Sequence, residues 1–258
     1  MGVNFDSDLG KLQRLMAESI AGTARRNEIL SELHVHSGDT IIDVGCGAGH
    51  LLTHLAKAVG SNGTIYGLDP SKAQLDQANQ RCSEFNNIAL IERNADDSQL
   101  ESNCCHSATS TQALEYIPDV EPALDEITRI LKSGGAFVNV SILWDHFKFY
   151  GADHKLNEKI HDAFKAHCSH QMLPMELPGK LQYRGFRNVK DKSLAFVITR
   201  RDGNSPARYT EAVMADFVLT QGISEEEVLN WKSQLEKAEQ NGRFGFTSFP
   251  VMTSAYLG

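Results

Sequence analysis

Residues 43–50 read Asp43-Val44-Gly45-Cys46-Gly47-Ala48-Gly49-His50, directly after Thr40-Ile41-Ile42. A strand that runs into a glycine-rich turn offers backbone N–H groups to a nucleotide-like ligand at the carboxyl edge of a parallel α/β sheet. The glycine spacing narrows the ligand. A dinucleotide fingerprint, G-x-G-x-x-G, needs a third glycine where this chain has His50. A phosphate-binding P-loop ends in Gly-Lys-Ser/Thr, and Gly49-His50-Leu51-Leu52-Thr53 has no lysine. Asp43 is more decisive. A carboxylate at the mouth of the turn repels a pyrophosphate at close range and suits a ligand with an ammonium group. S-adenosylmethionine (SAM) carries an ammonium, a sulfonium and no phosphate.

Outward from the turn, strands alternate with helices. Expected strands are 40–44, 64–68, 88–91, 104–111 and 135–141, the last after the turn Lys132-Ser133-Gly134-Gly135. Expected helices between them are 51–59, ended by Gly60, then 71–85 and 122–131. This rhythm with short turns predicts an α/β fold: a Rossmann-like, mostly parallel seven-stranded sheet with helices on both faces. Upstream, Leu9, Leu12, Leu15, Met16, Ile20, Ile29, Leu30 and Leu33 fall at helical spacing, with Gly22 as an expected break. After residue 141 the rhythm stops. The expected organisation is one domain over 1–258: an N-terminal helical lid (1–35), a ligand-binding core (36–141), a helical cap insertion (142–184) and C-terminal strands and helices completing the sheet (185–258). In the last part, helices are expected at 206–221 and 224–240, the second opened by a Ser224/Glu227 capping box.

Bulk properties bound the partners. The chain has 258 residues, a net charge of −8 and a pI near 5.7. That balance argues against nucleic acid, and the basic pairs Arg25-Arg26 and Arg200-Arg201 belong to no longer stripe, so surface solvation is their expected role. Five cysteines without CxxC spacing fit a reducing, cytoplasmic setting rather than a zinc ribbon or a secreted framework. No apolar run is long enough to span a bilayer, the start shows no signal pattern, and Ser7 lies one residue beyond the place a myristoylation motif requires.

The second strand ends in Gly67-Leu68-Asp69-Pro70, an acid 24 residues after Gly45. A carboxylate there can accept both ribose hydroxyls, whether of NAD or of SAM. Asn94-Ala95-Asp96-Asp97 follows the third strand. An acceptor there suits an adenine amine, with a solvated turn as the equal alternative.

In order, 43–50 (DVGCGAGH), 67–71 (GLDPS), 95–100 (ADDSQL), 111–120 (TQALEYIPDV) and 126–135 (EITRILKSGG) resemble the successive motifs of class I SAM-dependent methyltransferases, in the ubiquinone/menaquinone methyltransferase-like branch with a type-11 methyltransferase domain. The resemblance is specific over roughly 36–141 and weaker elsewhere. It implies SAM as cofactor, with the backbone of Gly45, Cys46 and Gly47 at the methionine moiety and Asp43 beside it. It also implies Asp69 with Pro70 at the ribose, Asp96 and the Asp97 backbone at the adenine, and Thr111-Gln112 beneath the sulfonium. Two departures stand out: Cys105-His106 where the family usually has Phe-Asp, and Ser133 where it usually has Pro.

The expected activity is methyl transfer to the O, N, S or C nucleophile of a small molecule, by a monomer or homodimer without a resident metal. Candidate catalytic residues follow the strands or lie in the cap. Tyr116 is a wall or hydrogen-bond donor, or a packed ring. Asp145-His146 is a base or substrate orienter, or a helix-start carboxylate beside an exposed histidine. On a helix from about 154, His167, and His170 if the helix persists, fall on the apolar face and His154 and His161 point away, so His167 and His170 are candidate bases, core histidines being the commoner case. Cys104-Cys105 opens an alternating strand, with one thiol expected inward and one outward. An arsenite-type reading of that pair ranks below buried small hydrophobes. The competing classes are a SAM-binding regulatory protein without transfer activity and an NAD-dependent enzyme.

Overall fold

The computed structural model describes residues 15, 17–201 and 205–258. Leu9, Leu12 and Met16 of the expected first helix lie outside the described residues. The chain forms two compact units, one of residues 25–141, 173–193 and 251–258 and a second drawing on 142–172 and 194–250.

The first unit holds a seven-stranded sheet in the order β3-β2-β1-β4-β5-β10-β7. Its strands are β1 (Thr40–Val44), β2 (Thr64–Asp69), β3 (Ile88–Glu92), β4 (Cys105–Thr111), β5 (Leu131–Ile142), β7 (Phe186–Ser193) and β10 (Pro250–Leu257). The pairs from β3 to β5 are parallel, and β10 runs antiparallel to β7. Strand alternation sorts the side chains. Ile42 and Val44 join Leu68 and Ala108 in one buried cluster with α4 (Glu121–Ile130) and α6 (Leu173–Tyr183). Within α4, Leu124, Ile127 and Ile130 are buried, each contributing about 1.5–3 kcal/mol by leaving water. The opposite face packs α2 (Leu52–Val59), whose Leu52 lies so close to Gly67 that a Cβ there would sit 2.7 Å from it. Asp43 belongs to that second face, since it pairs in register with Gly67 and Thr109.

The helix α2 ends at Gly60 (φ +70) as the sequence predicts. Two expectations shift. Gly22 breaks nothing: α1 (Ile20–Leu33) runs through it, because the Ser19 hydroxyl accepts the Gly22 amide at 3.1 Å and caps the start. The helix expected over 71–85 is α3 (Lys72–Arg81), which stops where Cys82 leaves helical geometry and Asn87 Nδ2 ties the chain to the Gly60 carbonyl at 2.9 Å.

The second unit was not legible as a separate body. Residues 142–172 contain β6 (Lys148–Tyr150) and α5 (His154–Phe164), and 194–250 supply β8 (Phe196–Ile198), α7 (Pro206–Thr220), α8 (Glu225–Gln240) and β9 (Gly245–Ser248). These strands make their own antiparallel sheet, β6-β9-β8. The boundary expected at 184 therefore moves. Leu173, Leu177 and Leu181 of α6 bury against the large sheet, and only β7 and β10 of the C-terminal third complete it. Most of 194–250 instead packs with α5 around Phe149, Trp231 and Phe246, where Trp231 Nε1 donates to Asn157 Oδ1 at 2.9 Å. The capping box is present: Ser224 Oγ accepts the Glu227 amide and Glu227 reaches back to the Ser224 amide. Ser224→Ala is expected to cost about 1 kcal/mol in a urea melt, and a loss below about 0.3 kcal/mol would show that the box contributes little.

In both basic pairs an arginine is partly buried and held by a specific contact rather than only solvated. Arg201 is paired with Glu211 and with Glu239, the latter at 2.9 Å, and lies over the Phe244 ring. Arg25 is described below. The cysteine pair also differs from expectation. Cys104 precedes β4, and the two sulfurs sit on one side, 3.6 Å apart, because alternation begins only at Cys105. Cys105 is buried in the core and its thiol is pushed up by burial and by Cys104.

Candidate active site

At the carboxyl end of β1 the chain turns through Gly45 (φ +75), Cys46 and Gly47 (φ +51). The Gly45 and Cys46 amides donate to the Leu68 carbonyl at 2.7 and 3.0 Å, which fastens the turn to β2. A Cβ on Gly45 would stand 2.2 Å from Ala113 Cβ, so the glycine turn and the turn after β4 touch. Gly49 is equally confined, with Ala78 Cβ 3.0 Å from where its own Cβ would stand.

Two carboxylates flank this turn. Asp69 accepts the Gly47 amide on Oδ2 and the Ser71 amide on Oδ1, both at 2.9 Å. Burial raises its pKa and those two amides, Ser71 and then Gly47, oppose the rise. Each oxygen keeps a second lone pair, so the same carboxylate can still accept two hydroxyl donors. Pro70 follows directly and sets the path into α3. Asp43 is 3% exposed, and its Oδ1 has no partner among the described residues. Burial first, and the Asp69 charge second, push its pKa up to about 7. A buried acceptor left unpaired is costly, and a cationic ligand is what would complete it.

Gln112 closes the arrangement from β4. It has φ +52, uncommon for a residue with a side chain, and its amide donates to the Val140 carbonyl at 2.7 Å. Its Oε1 accepts from Arg25 of α1 at 2.5 Å. Thr111 is the last residue of β4, with a buried hydroxyl unpartnered among the described residues. Asp96 and Asp97 lie in an exposed turn after β3, where the Asp97 carboxylate pairs with Arg93 at 3.0 Å and its amide donates to the Asn94 carbonyl. Tyr116 lies in a single 3-10 turn, Leu114–Tyr116, and is 36% exposed.

Asp43, Gly45, Cys46, Gly47, Asp69, Pro70, Thr111 and Gln112 thus converge on one sheet edge. Three features suit a cationic, ribose-bearing ligand such as SAM: a turn whose Gly45 leaves no room for a side chain, a buried Asp43 whose Oδ1 has no partner among the described residues, and an Asp69 with lone pairs to spare.

The other candidates belong to the second unit. Trp144, Asp145, His161, Lys165, His167 and Gln171 line a small pocket there. Asp145 is half-exposed, 4.0 Å from Lys165, and His146 is exposed, its ring 5.9 Å from Phe249. The helix does not persist to His170: α5 ends at Phe164 and Cys168 is extended. His161, expected to point away, is half-buried, its Nε2 accepting the Phe149 amide while Nδ1 donates to the Asn157 carbonyl. His167 stacks on Phe164 at 3.9 Å and meets Trp144 edge-on at 4.3 Å. Burial lowers its pKa to about 4, which makes it a poor base at neutral pH. An NMR titration is expected to find the His167 ring neutral down to about pH 5, and a midpoint near 6.5 would restore it as a base candidate. Among the described residues, no three His, Cys, Asp or Glu side chains converge as metal ligands.

Sequence reasoning missed Arg25, and nothing in its spacing marks it. Only the long-range contact with Gln112 does.

Comparison with known proteins identifies relatives of the chain. A demethylmenaquinone methyltransferase of Staphylococcus haemolyticus is 34% identical over 113 residues, 44% of this chain and 47% of that protein. The chain therefore matches about half the length of that relative. The enzyme of the same name from Oceanobacillus iheyensis is 29% identical over 187 residues, 65% of this chain and 78% of its own. Among solved structures, Haemonchus contortus phosphoethanolamine N-methyltransferase 2, in complex with S-adenosyl-L-methionine, superposes with a TM-score of 0.63 at 16% identity, covering 98% of this chain and 59% of that one. The family described as "Methyltransferase domain" matches residues 35–209. The chain belongs to that methyltransferase-domain family, on the fold and on the turn that begins at Asp43.

Proposed function

We propose that the protein is a SAM-dependent methyltransferase acting on a small molecule. The observation that carries this reading is the buried Asp43 at the glycine turn, whose Oδ1 has no partner among the described residues. Bound SAM supplies an electrophilic methyl on its sulfonium. The chain's own residues do the rest by binding and alignment. Asp43 takes the ammonium, and Asp69 with Pro70 holds the ribose. The backbone of Gly45, Cys46 and Gly47 admits the methionine stem, and Thr111-Gln112 form the floor. Asp96 and the Asp97 backbone are assigned to the adenine, Asp97 giving up its bond to Asn94. The acceptor nucleophile is O, N, S or C. Tyr116, Asp145, His146 and His170 remain its candidate partners, and His167 is assigned to packing.

A small acceptor rather than nucleic acid is supported by the net charge of −8. A cytoplasmic setting is supported by five cysteines that are all free. No helix among the described residues is long and apolar enough to cross a membrane. The protein acts as a monomer or homodimer and as one functional domain.

Calorimetry with SAM, S-adenosylhomocysteine and NAD tests the reading. Binding of the first two and turnover of SAM with a small-molecule panel are expected. Stabilisation by NAD alone would overturn it, and SAM binding without any turnover would favour a regulatory role.

A further inference from the structure

Cys104 and Cys105 stand at the amino end of β4, the opposite end of the strand from Thr111-Gln112 and the glycine turn. Adjacent residues of a regular strand point to opposite faces, yet these two sulfurs lie 3.6 Å apart. The backbone supplies the reason. Cys104 precedes the strand and follows Asn103, which has left-handed geometry (φ +56). The pairing of β4 with β5 then slips between Cys105 and Ser107. A slip of this kind re-aims the side chains beside it. The two thiols differ in access: Cys104 is half-buried next to the exposed residues 101–103, and Cys105 is buried in the core. One cation bears on the pair. Lys132 favours the Cys105 thiolate, and its ammonium is 2.7 Å from Nε2 of the neighbouring His106.

We propose that Cys104 and Cys105 form a reversible modification site, which closes to a vicinal disulfide by exchange with a small disulfide such as glutathione disulfide. Cys104 reacts first, because it is the accessible thiol. Its thiolate attacks one sulfur of the small disulfide, forms a mixed disulfide and expels one small thiolate. The Cys105 thiolate then attacks the Cys104 sulfur and expels the second. Two protein thiols thereby lose two electrons and two protons, and the small disulfide becomes two thiols. The order suits Cys105. Burial holds its thiol up, and the charge and hydrogen bond of Cys104 hold it further up. Both contributions of Cys104 end once that sulfur is capped, and Lys132 remains to favour the thiolate. The closed ring is strained. Adjacent Cα atoms are held about 3.8 Å apart, short of the usual disulfide span of about 4.4–6.8 Å. Strained disulfides are the easily reduced ones, so excess small thiol reopens the ring.

The test treats the full chain with glutathione disulfide, alkylates the remaining thiols and maps the peptides by mass. The peptide holding Cys104 and Cys105 is expected to carry no alkyl group, to retain no glutathione and to be lighter by the two lost hydrogens. Excess reduced glutathione is expected to restore both alkylation sites. Cys105→Ala keeps only the first step, so it is expected to stop with glutathione bound to Cys104. A wild-type chain that also stops there would overturn the proposal, since the second thiol then fails to reach the first. Two cysteines that stay fully alkylated after treatment, or a bond mapped from either of them to another cysteine, would overturn it equally.

Discussion

Gly45→Ala is expected to lose about 2–5 kcal/mol of folding stability and at least thirtyfold in SAM affinity. Two separate costs add. The left-handed conformation at φ +75 disfavours any side chain by about 1–2 kcal/mol. The new methyl would then stand 2.2 Å from Ala113 Cβ, which forces backbone movement on one of two packed turns at about 1–3 kcal/mol. The movement cannot stay local, because the Gly45 and Cys46 amides are fastened to Leu68. Adding Ala113→Gly separates the two costs. The double variant is expected to regain the packing part, roughly half, and none of the conformational part. Urea denaturation and calorimetry read both effects. A single variant within about 0.5 kcal/mol of wild type would show that the two turns are not in contact.

Asp43→Asn is expected to stabilise the ligand-free protein at pH 8 by up to about 4 kcal/mol while weakening SAM at least tenfold. Burial raises the folded-state pKa of Asp43 from 3.8 to about 7. Between those values the unfolded chain has released a proton that the folded chain retains. Folding stability from this group therefore falls as pH rises from about 4 to about 7, by roughly 1.4 kcal/mol per unit and at most about 4 kcal/mol in all, and is level above. Asparagine removes the slope, so the two proteins should melt alike near pH 4, diverge progressively as pH rises to about 7, and keep a constant difference above that. A cationic ligand pulls the same pKa down, so SAM affinity is expected to rise from pH 6 to pH 8 with release of a proton on binding. Identical pH profiles for the two ligand-free proteins would rule out a buried, strained carboxylate.

Much of this was legible because local signals and tertiary burial agreed. Strand β1, helix α2 with its Gly60 stop, and the Ser224 capping box follow from short-range chemistry, and all formed where that chemistry places them. The glycine turn and its two flanking carboxylates were legible because glycine spacing and the acids at 43 and 69 encode backbone shape and charge directly. What failed depended on distant partners. Helix α6 has an apolar face that suits either packing unit, and only its burial against Phe186 and Ile127 assigns it to the large sheet. His161 read as pointing away and His167 as an inward candidate base, whereas the contacts with Phe149, Phe164 and Trp144 decide their chemistry. Arg25 and Arg201 read as surface pairs because nothing adjacent names Gln112, Glu211 or Glu239 as partners.

Strand order has a consequence for synthesis of the chain on the ribosome. The edge strand β7 has a single sheet neighbour, β10, which is the last strand to be made. Residues 186–193 therefore emerge more than fifty residues before anything can pair with them. During that interval Phe186 and the exposed backbone of β7 are open to other chains. The strand's alternatives are blunted by its own sequence, in which Arg187, Lys190, Asp191 and Lys192 set charge along the waiting edge. Nascent chains stalled before residue 250 should accordingly hold the five parallel strands while remaining dependent on chaperones.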